Sequence, residues 1–428
     1  MSLPRPRGFA AWLYHRLVAN YWSLPVLAVL ASPLAALLLV RADREGATAW
    51  LLERDLAPVA TADTARDLAG VVAGIDTALL ALYVSISLLV LTIAASNLGV
   101  RLIDRWLSKP LVRISLAGLS FSIIYALVLM AAIDADADLD DVPLLAFTAM
   151  LGLQLVNLAM LAVALHDLGR TMFVDRSIAK IGEDAAVCDL PLVGRANVGW
   201  QAAETLRAGQ SGYVEGHDLT RLAEILDGHQ GRLRLAAAPG SFVMTGDPLI
   251  EFEQAGAPLE QIERRLAIGP FRSDAQGPVF QIRLLVEIAA RALSPAVNDF
   301  YSAIACADRL CTALAGQTER WVADDTMPVW RHDERFELPG QHFRGLFGAP
   351  LAALRQAACD YPSVTIRMIG NLGKLAARVE EADLADYLRS EAEAFAAHAI
   401  ARSGFDRDKA DIAEALARIS AAGGQAPN

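Results

Sequence analysis

Residues 114–133 read ISLAGLSFSIIYALVLMAAI, and residues 134–141 follow at once as DADADLDD. Twenty residues without a charge are succeeded by a short stretch in which most residues are aspartate. Twenty helical residues rise about 30 Å, the thickness of a bilayer's hydrocarbon core. The pair therefore reads as a helix that crosses a membrane and ends in a solvated acidic turn. Three more uncharged apolar runs, residues 21–40, 77–96 and 142–165, have the same length and character. The first follows an aromatic and basic approach of Trp12, Tyr14, His15, Arg16, Tyr21 and Trp22, which suits an interfacial anchor beside a retained helix. A cleaved signal peptide would have a shorter apolar core and no later spans. Pro25 and Pro33 are expected to bend this first span.

Composition agrees. The chain has 428 residues, 54% of them hydrophobic and only 20% charged, and its mean hydropathy is +0.34. These values are high for a soluble protein and suit a membrane part joined to a soluble one. The net charge of −11 offers no basic face for nucleic acid. Cys188, Cys306, Cys311 and Cys359 show no metal-ligand spacing and read as free thiols of a reducing compartment. The histidines are scattered, so no metal site and no cofactor is expected.

Loop charges set the orientation. Arg5, Arg7 and Arg16 precede the first span, and Arg101, Arg105, Lys109 and Arg113 follow the second. Arg170, Arg176 and Lys180 follow the fourth, whereas the loop after the third is purely acidic. Positive charge stays in the cytoplasm, so both termini are expected inside, with the protein in a bacterial inner membrane. The expected organisation is a four-helix transmembrane domain at 1–170, a connector helix and linker at 171–208, a small β module at 209–256 and a helical cytoplasmic domain at 257–428. The fold class is thus membrane α-helical plus a cytoplasmic α+β domain.

Within the β module, HDLTRLAEILDGH reads as one helix between an Asp218 N-cap and a Gly228 C-cap. Further on, RALSPAVNDF at 291–300 lies between two apolar helical patterns. Pro295 disfavours a helical Ser294, so the first helix should stop near Leu293. Asn298 or Asp299 can then cap the second, and Arg291 in the last turn could reach Asp299. A structural corner is the first reading; a ligand or partner site made of Arg272, Arg291, Ser294, Asn298 and Asp299 is the second. A Ser294 nucleophile lacks both an elbow motif and a nearby base.

At these residues the chain resembles a family of predicted bacterial membrane proteins, the domain of unknown function (DUF) 2254 family. ALSPAVND resembles its signature, and SNLGVRLIDRWL, HDLGR, SGYVEGHDLTRLAEI, GSFVMTGDPL and GPFRSDAQGPVFQIRLLVEIAARALSPAVND agree with it to about Leu314. Two departures stand out: Phe300 where the family usually has Pro, and Gly277 where it usually has an acid. The resemblance implies an integral membrane protein with a cytoplasmic domain and brings no established activity. The β module is also similar in part to biotinyl and lipoyl carrier domains, which implies a barrel-like scaffold. The stretch has no lysine between Lys180 and Lys374, so no biotin or lipoate is attached.

DADADLDD begins like a calcium loop but has Leu139 and Leu145 where Gly and Glu are required. Asp134, Asp136, Asp138, Asp140 and Asp141 remain as an acidic mouth, and Gln154 and Asn157 as polar side chains within the fourth span. Asp76 reads as lying close to the outer boundary, with no charge at mid-membrane. No catalytic constellation is present. The expected partners are the lipid bilayer and further copies of the chain. The expected role is a membrane protein with a sensing or coupling domain, extending to ion or solute permeation. The alternatives are a scaffold that recruits partners, or a membrane-bound enzyme with its site near 291–299.

Overall fold

The computed structural model describes residues 22–98, 109–171, 174–270, 272 and 276–423. Arg5, Arg7, Arg16, Arg101 and Arg105, on which the orientation rests in part, lie outside the described residues, as do 271 and 273–275 of the GPFRSDAQG stretch. The chain divides into two compact units, Met1–Phe173 and Val174–Asn428.

In the first unit, helix α1 (Ser23–Ala42) runs unbroken through Pro33. The direction changes later, in a widened turn at Asp43–Ala47 where Gly46 takes φ 120°. That value favours glycine, which has no Cβ to clash. Helix α2 (Thr48–Leu52) follows, then α3 (Ala62–Leu98), α4 (Pro110–Ala132) and α5 (Leu144–Thr171). Among the described residues four stretches are long and apolar enough to cross a bilayer: Ser23–Leu52, Ala62–Ile93, Pro110–Ala132 and Leu144–Arg170. Asp43 ties the end of the first to the start of the last. Its carboxylate accepts from the backbone N–H groups of Leu145 (2.8 Å) and Ala146 (2.9 Å) and from Thr48 Oγ1 (2.9 Å). An acid at this place satisfies donors that the first turn of α5 leaves unpaired and complements the helix dipole.

Helix α3 starts at residue 62 rather than 77. Ala62, Ala65, Ala69, Val72 and Ala73 recur at helical spacing and are buried, while Asp63, Arg66 and Asp67 on the other face are exposed. This amphipathic start carries the helix far beyond its uncharged core. It also moves Asp76 from the margin of a span to the interior of a long helix, a correction to the sequence reading.

The second unit opens with α6 (Val174–Ala186). Its strands are β1 (Leu192–Ala196), β2 (Glu204–Arg207), β3 (Gly212–His217), β4 (Leu233–Leu235), β5 (Phe242–Val243), β6 (Pro248–Phe252), β7 (Leu266–Gly269), β8 (Thr326–Trp330) and β9 (Asp333–Glu337). Among the described residues they form two sheets, ordered β1-β8-β9-β4-β6-β2 and β5-β3-β7, and no closed barrel. The barrel-like expectation fails because the strands of 209–256 do not close on themselves. Instead β4 pairs in parallel with β9, Leu233 opposite Phe336. Leu206, Leu222, Leu235, Ile250, Phe252 and Phe336 share the core beneath.

Helix α7 (Leu219–Ile225) is capped by Asp218, whose side chain accepts from Arg221 N, and it ends three residues before Gly228. After the short α8 (Leu259–Glu263) come α9 (Pro278–Ala292), α10 (Phe300–Gly316), α11 (Phe343–Ala358), α12 (Pro362–Ala376), α13 (Ala382–Arg402) and α14 (Asp406–Gly423). The region beyond 257 is therefore not purely helical, since β7 and the β8–β9 hairpin interrupt it.

Candidate functional site

Helix α3 buries a face on which Ala69, Val72, Ala73, Asp76 and Tyr83 follow one another. Asp76 is 0% exposed, and neither carboxylate oxygen has a hydrogen-bond partner among the described residues. The side chains that face it are Ser122 of α4 and Gln154 of α5. Ser122 Oγ and both polar atoms of Gln154 are likewise buried without a hydrogen bond among the described residues. Ser122 lies near the middle of α4, so the acid sits near the middle of the bundle rather than at its rim. One turn along, Asn157 Nδ2 donates to the Gly118 carbonyl at 3.2 Å.

This polar belt separates two apolar cores. One contains Val72, Ala73, Tyr125, Leu129, Phe147 and Met150 and lies toward the aspartate loop. The other contains Tyr83, Leu91, Val112, Leu116, Leu161 and Leu168 and lies toward the opposite end. At that opposite end Lys109 Nζ and Asp167 Oδ2 form an ion pair of 2.8 Å. Between belt and ion pair the buried hydroxyls of Tyr83, Ser87 and Ser115 have no hydrogen-bond partner among the described residues. Polar groups in a membrane interior are costly, and an ionisable one there is a candidate functional residue.

The sequence-predicted residues separate into four places. Gln154 and Asn157 join the belt. Asp134, Asp136, Asp138, Asp140 and Asp141 are exposed in the loop between α4 and α5, away from it. Among the described residues no group of three or more His, Cys, Asp or Glu side chains is placed to hold a metal ion. Asp76 is the functional candidate that the sequence reading placed wrongly. The signal was present in the run of small residues at helical spacing that leads up to it.

The corner at 291–300 is built as a helix junction. Helix α9 ends at Ala292, and Ser294 accepts from Val297 N and Asn298 N at 3.0 and 2.9 Å. Asn298 takes φ 48°, and Asp299 caps α10 by accepting from Ser302 N at 3.1 Å and from Ser302 Oγ at 2.6 Å. The Tyr361 hydroxyl bonds the Leu293 carbonyl at 2.8 Å and closes the corner from outside. Arg291 is half-buried, and the Asp299 carboxylate is engaged with Ser302 rather than with it. Arg272 is elsewhere, over the Tyr213 ring at 5.1 Å. Burial, and then the charge of Arg272, pull the Arg283 guanidinium below its ordinary value. The structure thus does not bring the five ligand candidates of this unit to one point.

A network that sequence reading missed lies on the larger sheet. Glu337, 2% exposed, takes ion pairs from Arg195 and from Arg234 (2.9 Å) and a hydrogen bond from Trp200 Nε1 (3.0 Å). Arg232 pairs with Glu253 at 2.8 Å. That hydrogen bond holds the Glu253 carboxyl well below its ordinary range, at about 2. Arg234 also pairs with Glu251 at 3.5 Å, so three acids meet three bases, and the network leaves no charge over for a ligand.

Comparison with known proteins matches residues 19–374 to a family described as "Predicted membrane protein (DUF2254)". Similar relatives are an uncharacterized protein of Mycobacterium bovis and one of Mycobacterium tuberculosis. Each is 26% identical over 311 residues, which cover 68% of this chain and 60% of the relative. The chain thus spans less than two thirds of the length of these curated relatives. No solved structure matches it.

Proposed function

This chain belongs to the DUF2254 family of predicted membrane proteins, and from that premise we propose that its first unit takes up a proton or small cation at Asp76 and passes it along the polar belt. On this reading the protein is an inner-membrane homo-oligomer with both termini in the cytoplasm, and its second unit is a cytoplasmic domain that senses or couples. The observation that carries the reading is the acid itself. An ionised side chain at mid-membrane costs about 2.5–3.5 kcal/mol on insertion scales. A four-helix bundle that only anchored a soluble domain would pack better with an apolar residue there.

The acidic loop bears on the far mouth of the same bundle, opposite the Lys109–Asp167 end. Five exposed aspartates attract cations to one mouth, an attraction that salt screens over about 8 Å at physiological strength. The test is cation flux into liposomes containing the purified protein, under proton, sodium and potassium gradients. Wild-type flux that is lost in Asp76→Asn and weakened at low salt by Asp-to-Asn changes in the loop supports the reading. No flux from a correctly folded oligomer, under any gradient or voltage, leaves a membrane scaffold as the better description.

A further inference from the structure

We infer that the species bound at Asp76 is a proton, and that it arrives from the Lys109–Asp167 end of the bundle, which the proposed topology places in the cytoplasm. The inference rests on the cation-handling reading and narrows it.

Donor supply excludes an alkali ion. A dehydrated sodium or potassium ion needs a nearly complete shell of oxygens, which transport proteins supply from unwound backbone. Here α3, α4 and α5 are continuous helices at the level of Asp76, Ser122 and Gln154, so their carbonyls are engaged within the helices. The oxygens left are the two of Asp76, one hydroxyl and one amide oxygen. For a proton the same set is well chosen. A hydroxyl and a primary amide can each donate to a carboxylate and accept from a carboxylic acid. Ser122 and Gln154 can therefore serve both protonation states by rotation alone.

Direction follows from what lies on either side. Toward the aspartate loop the next layers are apolar, and the hydroxyl of Tyr125 is already committed to the Ala146 carbonyl at 2.9 Å. Toward the other end Asn157, Ser115, Tyr83 and Ser87 interrupt the apolar core with buried polar atoms. Ser87 faces the Tyr83 hydroxyl, and Asp167 is near enough to act on it electrostatically. Heights agree as well. Thirteen residues separate Gln154 from Asp167 and Lys109 from Ser122, about 20 Å of rise in each case. The titratable and charged groups along this interior are Tyr83 on α3, Arg113 and Tyr125 on α4, Asp167 on α5 and Lys109 just before α4. Helix α1 and its turn bring Asp43, which is engaged with Thr48, Leu145 and Ala146.

The experiment is labelling by dicyclohexylcarbodiimide, an apolar reagent that adds a protonated carboxyl group across its C=N bond. Full-length protein is sealed into vesicles, with orientation read from protease access to the C-terminal unit. Adducts are then mapped by mass. Expected is one adduct in the 62–98 segment, absent from Asp76→Asn. Its formation should increase as pH falls on the side of the C-terminal unit and ignore pH on the other side. Sodium or potassium at fixed pH should not protect. Tyr83→Phe combined with Ser87→Ala should slow the response to pH severalfold. Protection by either ion would make the site an alkali-cation site, and a response to pH on the aspartate-loop side would reverse the entry. Absence of an adduct at every pH would overturn the proton site itself. The predicted labelling without flux would retain the proton site and remove transport, so the two claims fail separately.

Discussion

Asn157 and Gly118 hold each other across the α4–α5 contact: the amide donates to the Gly118 carbonyl at 3.2 Å, and a methyl group on residue 118 would sit 2.6 Å from Asn157 Oδ1. The bond and the absence of a side chain are one arrangement. Gly118→Ala must push the amide aside and break its bond, which should cost about 1–2 kcal/mol. Adding Asn157→Ala removes the clashing atom, so the double variant should recover part of that loss. Melting of the four proteins in detergent checks this double-mutant cycle. Strict additivity of the two losses would show that the residues do not share a contact.

Asp299 should behave as a cap. Asp299→Ala is expected to cost the second unit about 1 kcal/mol, while Asp299→Asn and Asp299→Ser stay near wild type because both cap well. Denaturant unfolding provides the comparison. Equal damage from Asn and Ala would show that the charge, rather than the acceptor oxygen, matters at this corner.

Glu337 is the shared acid of three arginines, Arg195, Arg232 and Arg234, that are themselves largely covered. Glu337→Gln keeps the shape, removes the charge and takes from Arg195 its acid, while Arg234 and Arg232 keep Glu251 and Glu253. A loss of roughly 3 kcal/mol is expected, the scale for breaking a buried pair by taking one partner away. The same change should leave melting of the first unit unaltered, which limited proteolysis of the full chain can separate.

His217 gives the second unit an acid-sensitive element. Burial lowers its pKa from 6.5 to about 4. The unfolded chain then binds more protons than the folded one between these two values, so stability is full above pH 6.5 and declines as pH falls toward 4. Glu253, depressed to about 2 by the bond from Arg232, adds a further loss only below its ordinary value of 4.5. Unfolding measured across this range should show the upper part of the decline flattened in His217→Gln and unchanged in Glu253→Gln.

Much of the architecture was legible because it rests on patterns the chain writes locally. Runs of uncharged residues gave the four candidate spans, Pro295 and Asp299 gave the corner, and Asp218 gave the start of α7. What escaped depends on partners far along the chain. The β8–β9 hairpin draws β4 and β6 of the stretch 209–256 into the larger sheet, while β3 and β5 join β7 in the smaller one, and Phe336 opposite Leu233 has no local signal. Glu337 was invisible for the same reason. Asp76 escaped because uncharged length defined the span, whereas Ala62, Ala65, Ala69 and Val72 carry the helix further and turn the acid inward. Gln154 and Asn157 were singled out as polar residues in a span, but their meeting with an acid from α3 requires the fold.

An acid kept for function should weaken the fold that holds it. The most direct measurement is the thermal stability of Asp76→Asn beside wild type, in the same lipid and on protein whose cation flux has been recorded. Removing an ionisable group from the bundle centre should raise stability by roughly 2 kcal/mol while flux is lost. A variant that melts earlier than wild type, or that keeps its flux, would make Asp76 a structural residue and contradict the assignment.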